Sequence, residues 1–269
     1  MISTKVLLVL YYAITLFLTA CVEPADPPVP PTPEFIPKSS DTARIETGIR
    51  PAYGRDGIYI EWKNINSRDI SGYRVFRTVD TLGGRPVNFR LLREIPIGTQ
   101  VIGGDTTFLD TQVGLDTAYY YQVASYSRFG TQSNLSTTES YRLTRRPSLL
   151  GPKNVIDLPS DSIITFFWNK PNVSSGYYVI KVYEFNGSEN FIEEECMAVG
   201  YQKSTFLFTD SLRIDFRTIR TQLSFDEGIR VFKKIQSGNR QYRWRVFLYP
   251  RGRELNFGSA SEALPFIIR

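Results

Sequence analysis

Four patterns of hydrophobic and polar positions follow one another along the chain. Val6 to Leu18 is an almost uninterrupted apolar run behind a single cation, Lys5. It is too short to span a bilayer comfortably and reads as the core of a secretory signal over residues 1–20. Residues 22–37 then read VEPADPPVPPTPEFIP. So many prolines exclude helix and central strand and favour an extended polyproline conformation. At ~3.1 Å per residue the stretch could reach about 50 Å, which predicts a semi-rigid tether over 21–39. From Asp41 the pattern becomes short alternating runs broken by turn residues. In Gly57-Ile58-Tyr59-Ile60-Glu61-Trp62 a period of two puts Ile58, Ile60 and Trp62 on one face. Further strands are expected at Tyr73–Val75, 88–95, 106–113, 118–127 and 134–143, a spacing that argues for a β-sandwich.

Leu149 to Arg269 repeats the plan more loosely. Runs ending at Trp168, spanning Tyr177–Tyr183 and spanning Tyr242–Val246 predict strands, whereas 210–240 is too long for a simple connection. Ser224-Phe225-Asp226-Glu227 has the form of a capping box, and Phe225, Ile229, Phe232 and Ile235 recur at helical spacing. A short helix inserted beside the second sandwich is therefore expected, covering apolar surface. The boundary between units is expected at Arg145-Arg146-Pro147.

The first half resembles a fibronectin type III domain as a set of motifs over residues 40–146. Trp62 takes the place of that family's inward tryptophan, and Gly72-Tyr73-Arg74-Val75-Phe76-Arg77 the place of its next strand. Thr106 to Asp110 follows. Leu115-Asp116-Thr117-Ala118-Tyr119-Tyr120-Tyr121-Gln122-Val123-Ala124 then puts Tyr119 at the tyrosine corner, and Phe129 to Ser133 is the turn into the last strand. The Leu115-to-Tyr119 spacing is shorter than the family's. In residues 147–269 the resemblance is more divergent, with Tyr242 at the corner and Gly258 to Ser261 leading into the last strand. The resemblance implies an all-β protein of two tandem immunoglobulin-like, fibronectin type III-like sandwiches.

The apolar run ends in Leu18-Thr19-Ala20-Cys21, which resembles the bacterial lipobox. The resemblance implies diacylglyceryl transfer to the Cys21 sulfur, cleavage after Ala20, and a mature protein anchored to a membrane with no transmembrane helix. Glu23, Asp26 and Glu34 make the tether acidic, loosely like the surface-export signals of some bacterial lipoproteins.

Composition narrows the chemistry. The 269 residues, 42% of them hydrophobic, suffice for real cores. There is no histidine, which excludes His-based triads, His acid–base chemistry and nearly all His-containing metal sites. There are two cysteines, so acylation of Cys21 leaves Cys196 unpaired and best read as structural. Glu193, Glu194 and Glu195 would point to alternate faces of a strand and could not converge. Gly83-Gly84 and Gly103-Gly104 read as hairpin turns, so no phosphate-binding loop is evident. No cofactor or metal is expected. Asp-Ser/Thr pairs at Asp41, Asp80, Asp105, Asp116, Asp161 and Asp210 resemble a bacterial O-glycosylation sequon, against the alternative of ordinary turn chemistry.

The net charge is +5, and cations crowd between Arg213 and Arg253. Arg213, Arg217, Arg220, Arg243, Arg245, Arg251 and Arg253 form the candidate binding surface, with Arg243 and Arg245 expected to face outward. An anionic glycan, lipid headgroups or an acidic partner would suit it, and the export signal disfavours nucleic acid. Together these features predict a non-enzymatic, lipid-anchored protein of the bacterial cell envelope, at the outer rather than the inner membrane. It would present sandwich domains to an envelope protein partner. The alternatives are a glycan-binding accessory lipoprotein using the exposed rings of Tyr59, Phe76 and Tyr120, and, less favoured, a carboxylate-dependent hydrolase.

Overall fold

The computed structural model describes residues 27–99, 105–157, 159, 162–171, 176–185, 195–203, 209–217, 228–250 and 256–269. The signal segment, Cys21, Arg220, Arg251, Arg253, Glu193 and Glu194 lie outside these residues. Every regular element described is a strand. The first half contains β1 (Arg50–Pro51), β2 (Ile58–Glu61), β3 (Ile70–Thr78), β4 (Thr81–Leu82), β5 (Arg85–Pro86), β6 (Arg90–Pro96), β7 (Thr107–Asp110), β8 (Ala118–Ser127) and β9 (Glu139–Leu143). The second half contains β10 (Ser148–Gly151), β11 (Asn154–Ile156), β12 (Ile163–Asn169), β13 (Gly176–Glu184), β14 (Glu195–Lys203) and β15 (Thr209–Asp215). It closes with β16 (Ile229–Val231), β17 (Arg240–Pro250), β18 (Phe257–Ala260) and β19 (Leu264–Ile268).

In the first sandwich a β1-β2-β7 sheet faces a sheet ordered β6-β3-β8-β9. Alternation builds the core directly: Ile58, Ile60 and Trp62 meet Tyr73, Val75, Tyr121 and Val123 between the sheets. Trp62 packs edge-on against Tyr73 with ring centroids 5.4 Å apart. The Tyr119 hydroxyl accepts the Gly114 N–H at 2.8 Å, so the corner closes despite its short spacing. Below it, buried Asp110 accepts from Tyr121 Oη at 2.9 Å and from Arg77 at 2.7 Å.

The second sandwich sets β10-β12-β15 against β16-β14-β13-β17, with β18 and β19 both paired to β17. Ile164, Phe166, Trp168, Tyr178, Ile180, Trp244 and Val246 fill it. The Tyr242 hydroxyl both accepts the Gln236 N–H and donates to the Gln236 carbonyl, each at 3.0 Å. The Trp244 indole donates to the Pro152 carbonyl at 2.9 Å, pinning the crossing between β10 and β11.

The last strand of each sandwich uses one serine device at its bends. In an antiparallel pair two residues normally exchange N–H and C=O groups. Here Ser136 N–H donates to the Val123 carbonyl, but the Val123 N–H donates to Ser136 Oγ, each at 2.9 Å. Ser133 does the same for Ser125, and Ser261 for Val246. Each hydroxyl then donates onward to the carbonyl of the next residue. The hydroxyl replaces the strand's own carbonyl where the chain bends, so the Val123, Ser125 and Val246 N–H groups each keep a partner.

Two expectations are corrected. Ile229–Val231 is strand, paired with Ala198, Val199 and Gly200, where a helix was expected. Gly228 precedes it at φ 59°, a left-handed turn no α-helix accommodates. The three-residue recurrence of apolar positions arises instead from two cores: Val231 and Ile235 enter the sandwich, and Phe232 packs on a second cluster outside it. The capping-box residues lie outside the described residues. The proline-rich stretch, expected as a tether to residue 39, docks on the first sandwich from about Pro30. Pro30 and Pro33 are buried, Phe35 bridges to Trp62, the Lys63 N–H donates to the Glu34 carbonyl at 2.8 Å, and Ser125 Oγ donates to the Pro31 carbonyl at 2.5 Å. Proline lacks only the N–H, so its carbonyls still serve a sheet edge.

Ser136→Ala and Ser261→Ala each strand one buried N–H, and each is expected to lower the unfolding free energy by about 1–3 kcal/mol. Urea unfolding against the wild-type chain checks this.

Candidate functional site

The two sandwiches are joined as a single sheet. β9 and β18 pair in parallel, Arg142 beside Phe257 and Leu143 beside Gly258. The Arg142 N–H donates to the Asn256 carbonyl at 2.9 Å and the Thr144 N–H to the Gly258 carbonyl at 3.1 Å. A Cβ on Gly258 would lie 2.5 Å from the Leu248 carbonyl oxygen of β17 and 3.2 Å from the Tyr141 hydroxyl of β9, so glycine is what lets β18 fit between its two neighbours. Among the described residues the resulting sheet has eleven strands: nine run from β16 to β6, and β19 and β11 branch from β17.

Residues 38–53 of the first domain then fold over the outer face of β13, β14 and β17. At the centre the Glu46 carboxylate accepts from Lys181 Nζ at 2.8 Å, Tyr53 Oη at 2.8 Å and Tyr249 Oη at 3.3 Å. The Lys181 side chain is 0% exposed and that of Glu46 5%. Burial alone would raise the Glu46 pKa. The charge and hydrogen bond of Lys181, the Tyr53 hydrogen bond and the Arg50 charge outweigh burial and hold it below the ordinary carboxylate value. Burial and the Glu46 charge push the Tyr53 hydroxyl well above its usual range.

Around this centre the contacts are aromatic and cationic. The Arg245 guanidinium lies 3.9 Å from the Tyr53 ring centroid, and the Tyr53 ring meets Phe247 edge-on at 5.9 Å. At the margin Arg44 donates to the Cys196 carbonyl at 3.0 Å, Arg230 donates to the Thr42 carbonyl at 2.5 Å, and Asp41 accepts from Tyr177 and Lys38. Cys196 is 3% exposed, and burial pushes its thiol up to about 11, so it stays protonated and inert.

This cover corrects the arginine surface. Arg245 does sit on the outer side of its own sandwich, as alternation requires, but the first domain closes over it and leaves 1% exposed. Arg243 is half-buried, its guanidinium 3.8 Å from the Phe185 ring centroid. Arg213 and Arg217 belong to the opposite sheet and its margin. Arg217 is exposed and gripped by Asp215, with Nη2 to Oδ2 at 2.6 Å. The described arginines therefore form no single patch. The signal missed in the sequence is the run on both strand faces. Lys181 sits within Tyr-Tyr-Val-Ile-Lys-Val-Tyr, and Arg245 precedes Val-Phe-Leu-Tyr, and such continuous runs mark strands covered on both sides.

Other predicted positions are similarly occupied. Tyr59, Phe76 and Tyr120 are half-buried, and Arg50 covers the Tyr59 ring at 4.3 Å. Several Asp-Ser/Thr pairs perform turn chemistry: Asp105 accepts the Gly98 N–H at 2.6 Å, and Asp116 and Ser162 adopt positive φ. A cleft of about 500 Å³ opens at the domain junction, lined by Arg145, Arg146, Pro147 and Glu262, with Arg146 3.3 Å from Asp56. Among the described residues no group of three or more His, Cys, Asp or Glu side chains is placed to hold a metal. Among the described residues of the second domain, the outer face of β10-β12-β15 carries exposed apolar side chains. Leu150 and Phe167 there are 41% and 43% exposed, and Phe167 and Thr165 stand opposite Ser211 and Arg213.

No protein-family model matches the chain, and no curated protein does. Among solved structures it is similar to a Fn3-like protein from Clostridium thermocellum, at 18% identity and a TM-score of 0.29 over 42% of this chain and 92% of that one. It is also similar to the FN1–FN3 domains of chicken CNTN1, at 15% identity and a TM-score of 0.33 over 90% of this chain and 68% of that one. The fold itself rests on strand order and the two tyrosine corners.

Glu46→Gln is expected to cost about 3–5 kcal/mol by leaving Lys181 buried and unpaired, whereas pairing it with Lys181→Met should recover most of the loss. Chemical unfolding at neutral pH reads both. Because the Glu46 pKa is depressed on folding, its contribution is complete above the ordinary value of 4.5 and fades as pH falls through the lowered one. An acid titration of Tm should show this limb in the wild type and lose it in the variant.

Proposed function

We propose that this chain is a lipid-anchored protein of the bacterial cell envelope that holds a fixed two-domain body out to a protein partner and carries out no catalysis. The observation that carries the reading is the apolar run ending in Leu18-Thr19-Ala20-Cys21. Acylation of Cys21, with two or three chains, gives stable attachment where one chain is marginal. The bacterial outer membrane is the site of attachment in this reading.

The locked joint supports display. A buried Glu46–Lys181 pair, whose carboxylate also accepts from Tyr53 and Tyr249, and a shared sheet fix one domain on the other, so a partner meets a preorganised surface. The first domain already covers one face of the second, which leaves the outer face of β10-β12-β15 for the partner. Phe167 and Leu150 supply an apolar centre, and Arg213 supplies the cation, a composition suited to a protein interface. A glycan is the second reading, favoured by the exposed Phe167 ring, on which a sugar face could stack. The docking of Pro30 to Phe35 shortens the free spacer. Residues 22–29 at ~3.1 Å each reach about 25 Å, half the length expected from the proline run.

Mass spectrometry of the N-terminal peptide should find a diacylglyceryl adduct on Cys21, and Cys21→Ser should leave the membrane fraction. A crosslinked pull-down from native membranes should recover a stoichiometric partner, lost with Phe167→Ser combined with Arg213→Glu. A wild-type chain with unmodified Cys21 in the soluble fraction overturns the anchor. Binding to polysaccharide in place of a protein moves the ligand to the second reading.

A further inference from the structure

We infer that the end of the first sandwich from which the N-terminal chain departs dips into the lipid surface, with Val29, Ile97 and Phe129 as its inserted side chains. The inference rests on the anchor at Cys21. Three independent segments bring these residues to one end. The Ile97 N–H donates to the Ser71 carbonyl at 2.9 Å, at the start of β3. Ile70, also at the start of β3, pairs with Ser127 at the end of β8, and the Ser127–Thr131 turn that follows carries Phe129. Pro31 bonds Ser125 on the same strand, and the chain running back from Glu34, beside Lys63, leads Val29 toward that end.

All three side chains are exposed: Val29 by 66%, Ile97 by 47% and Phe129 by 63%. Nothing described in the fold requires three large apolar side chains to be exposed at one end of the sandwich, where polar turn residues are the rule. The length of chain before this end supplies the occupant. Cys21 precedes Pro27 by six residues, which span at most about 20 Å when extended. A body held on so short a cord turns this end toward the bilayer. Phe129 is the ring best placed for the interface, and the Arg128 guanidinium, 4.7 Å from its centroid, has the long stem that lets a charge stay at headgroup level while the ring descends. The nearby charges balance in number: Lys63 pairs with Glu34 at 2.6 Å, and the sequence there carries Arg68 and Arg128 along with Asp69 and Asp105. Insertion therefore depends on apolar contact, and anionic lipid is not needed.

Tryptophan reads the depth. The three native tryptophans, Trp62, Trp168 and Trp244, are at most 1% exposed, out of reach of lipid-borne quenchers. Phe129→Trp is made in the full acylated chain, with Leu82→Trp as control. Leu82 lies in the β4–β5 hairpin beyond the opposite end of β3 and is 75% exposed. Each variant is reconstituted in phosphatidylethanolamine–phosphatidylglycerol vesicles with and without brominated acyl chains. Residue 129 should show a blue shift and quenching by the brominated lipid, unchanged by salt or by the phosphatidylglycerol fraction, and residue 82 neither. Flotation of the vesicles and the mass of the N-terminal peptide report the anchor separately. A chain that is acylated and floats while residue 129 remains unquenched overturns the insertion and turns these loops over to a protein partner. A chain that is not acylated and does not float overturns the anchor reading, and the insertion with it.

Discussion

One buried ion pair governs how this molecule is put together. Glu46 comes from a loop of the first domain and Lys181 from the middle of a strand in the second, and neither has a stable home without the other. Removing a charge from water is costly, and mutual attraction offsets the cost only where the remaining hydrogen-bonding capacity is met. Tyr53 and Tyr249 supply that capacity for the carboxylate, and the Phe247 ring centroid lies 4.8 Å from the Lys181 ammonium. The pair works less as an attraction than as a condition. Any relative rotation of the domains would leave a carboxylate and an ammonium buried apart, so the arrangement is specified even where other contacts would tolerate sliding.

Around that condition the aromatic side chains are layered. Arg245 stacks on Tyr53, Tyr53 meets Phe247, and Phe247 lies parallel to Tyr249 at 6.2 Å. The joint thus has the makeup of a domain interior, unlike the polar and movable contacts between many tandem modules. The shared sheet adds direction. Main-chain bonds between β9 and β18 fix the register, and the side chains of residues 38–53 fix the face.

Much of this was legible in the sequence, for reasons that stop at identifiable points. Period-two alternation placed Trp62, Tyr73, Tyr121 and Val123 inward, and each is in the core. Tyr119 and Tyr242 occupy their corners because a tyrosine there has one good hydrogen-bonding solution. The pattern failed where a residue's surroundings come from the other domain. Alternation reports which side of its own sheet Arg245 occupies, and it carries no information about what later covers that side. It failed again at Ile229–Val231, where two separate cores drew apolar residues at a spacing that imitates a helix. Proline content excluded helix correctly, but it did not reveal that proline carbonyls would still bind the sandwich.

The pairing of β9 with β18 also bears on how such molecules behave beside one another. An open sheet edge offers unpaired N–H and C=O groups to any neighbouring chain, and proteins held in a plane meet their neighbours edge to edge at high local concentration. Because β9 of the first domain and β18 of the second close on each other, the long sheet, among the described residues, ends only at β16, at β6 and, through the β19 branch, at β11. β16 and β11 are three residues long each, and β6 carries Arg90, Arg93 and Glu94 among its seven. Brevity at two ends and charge at the third discourage strand-by-strand polymerisation, so the joint that makes the body rigid also helps keep each copy separate.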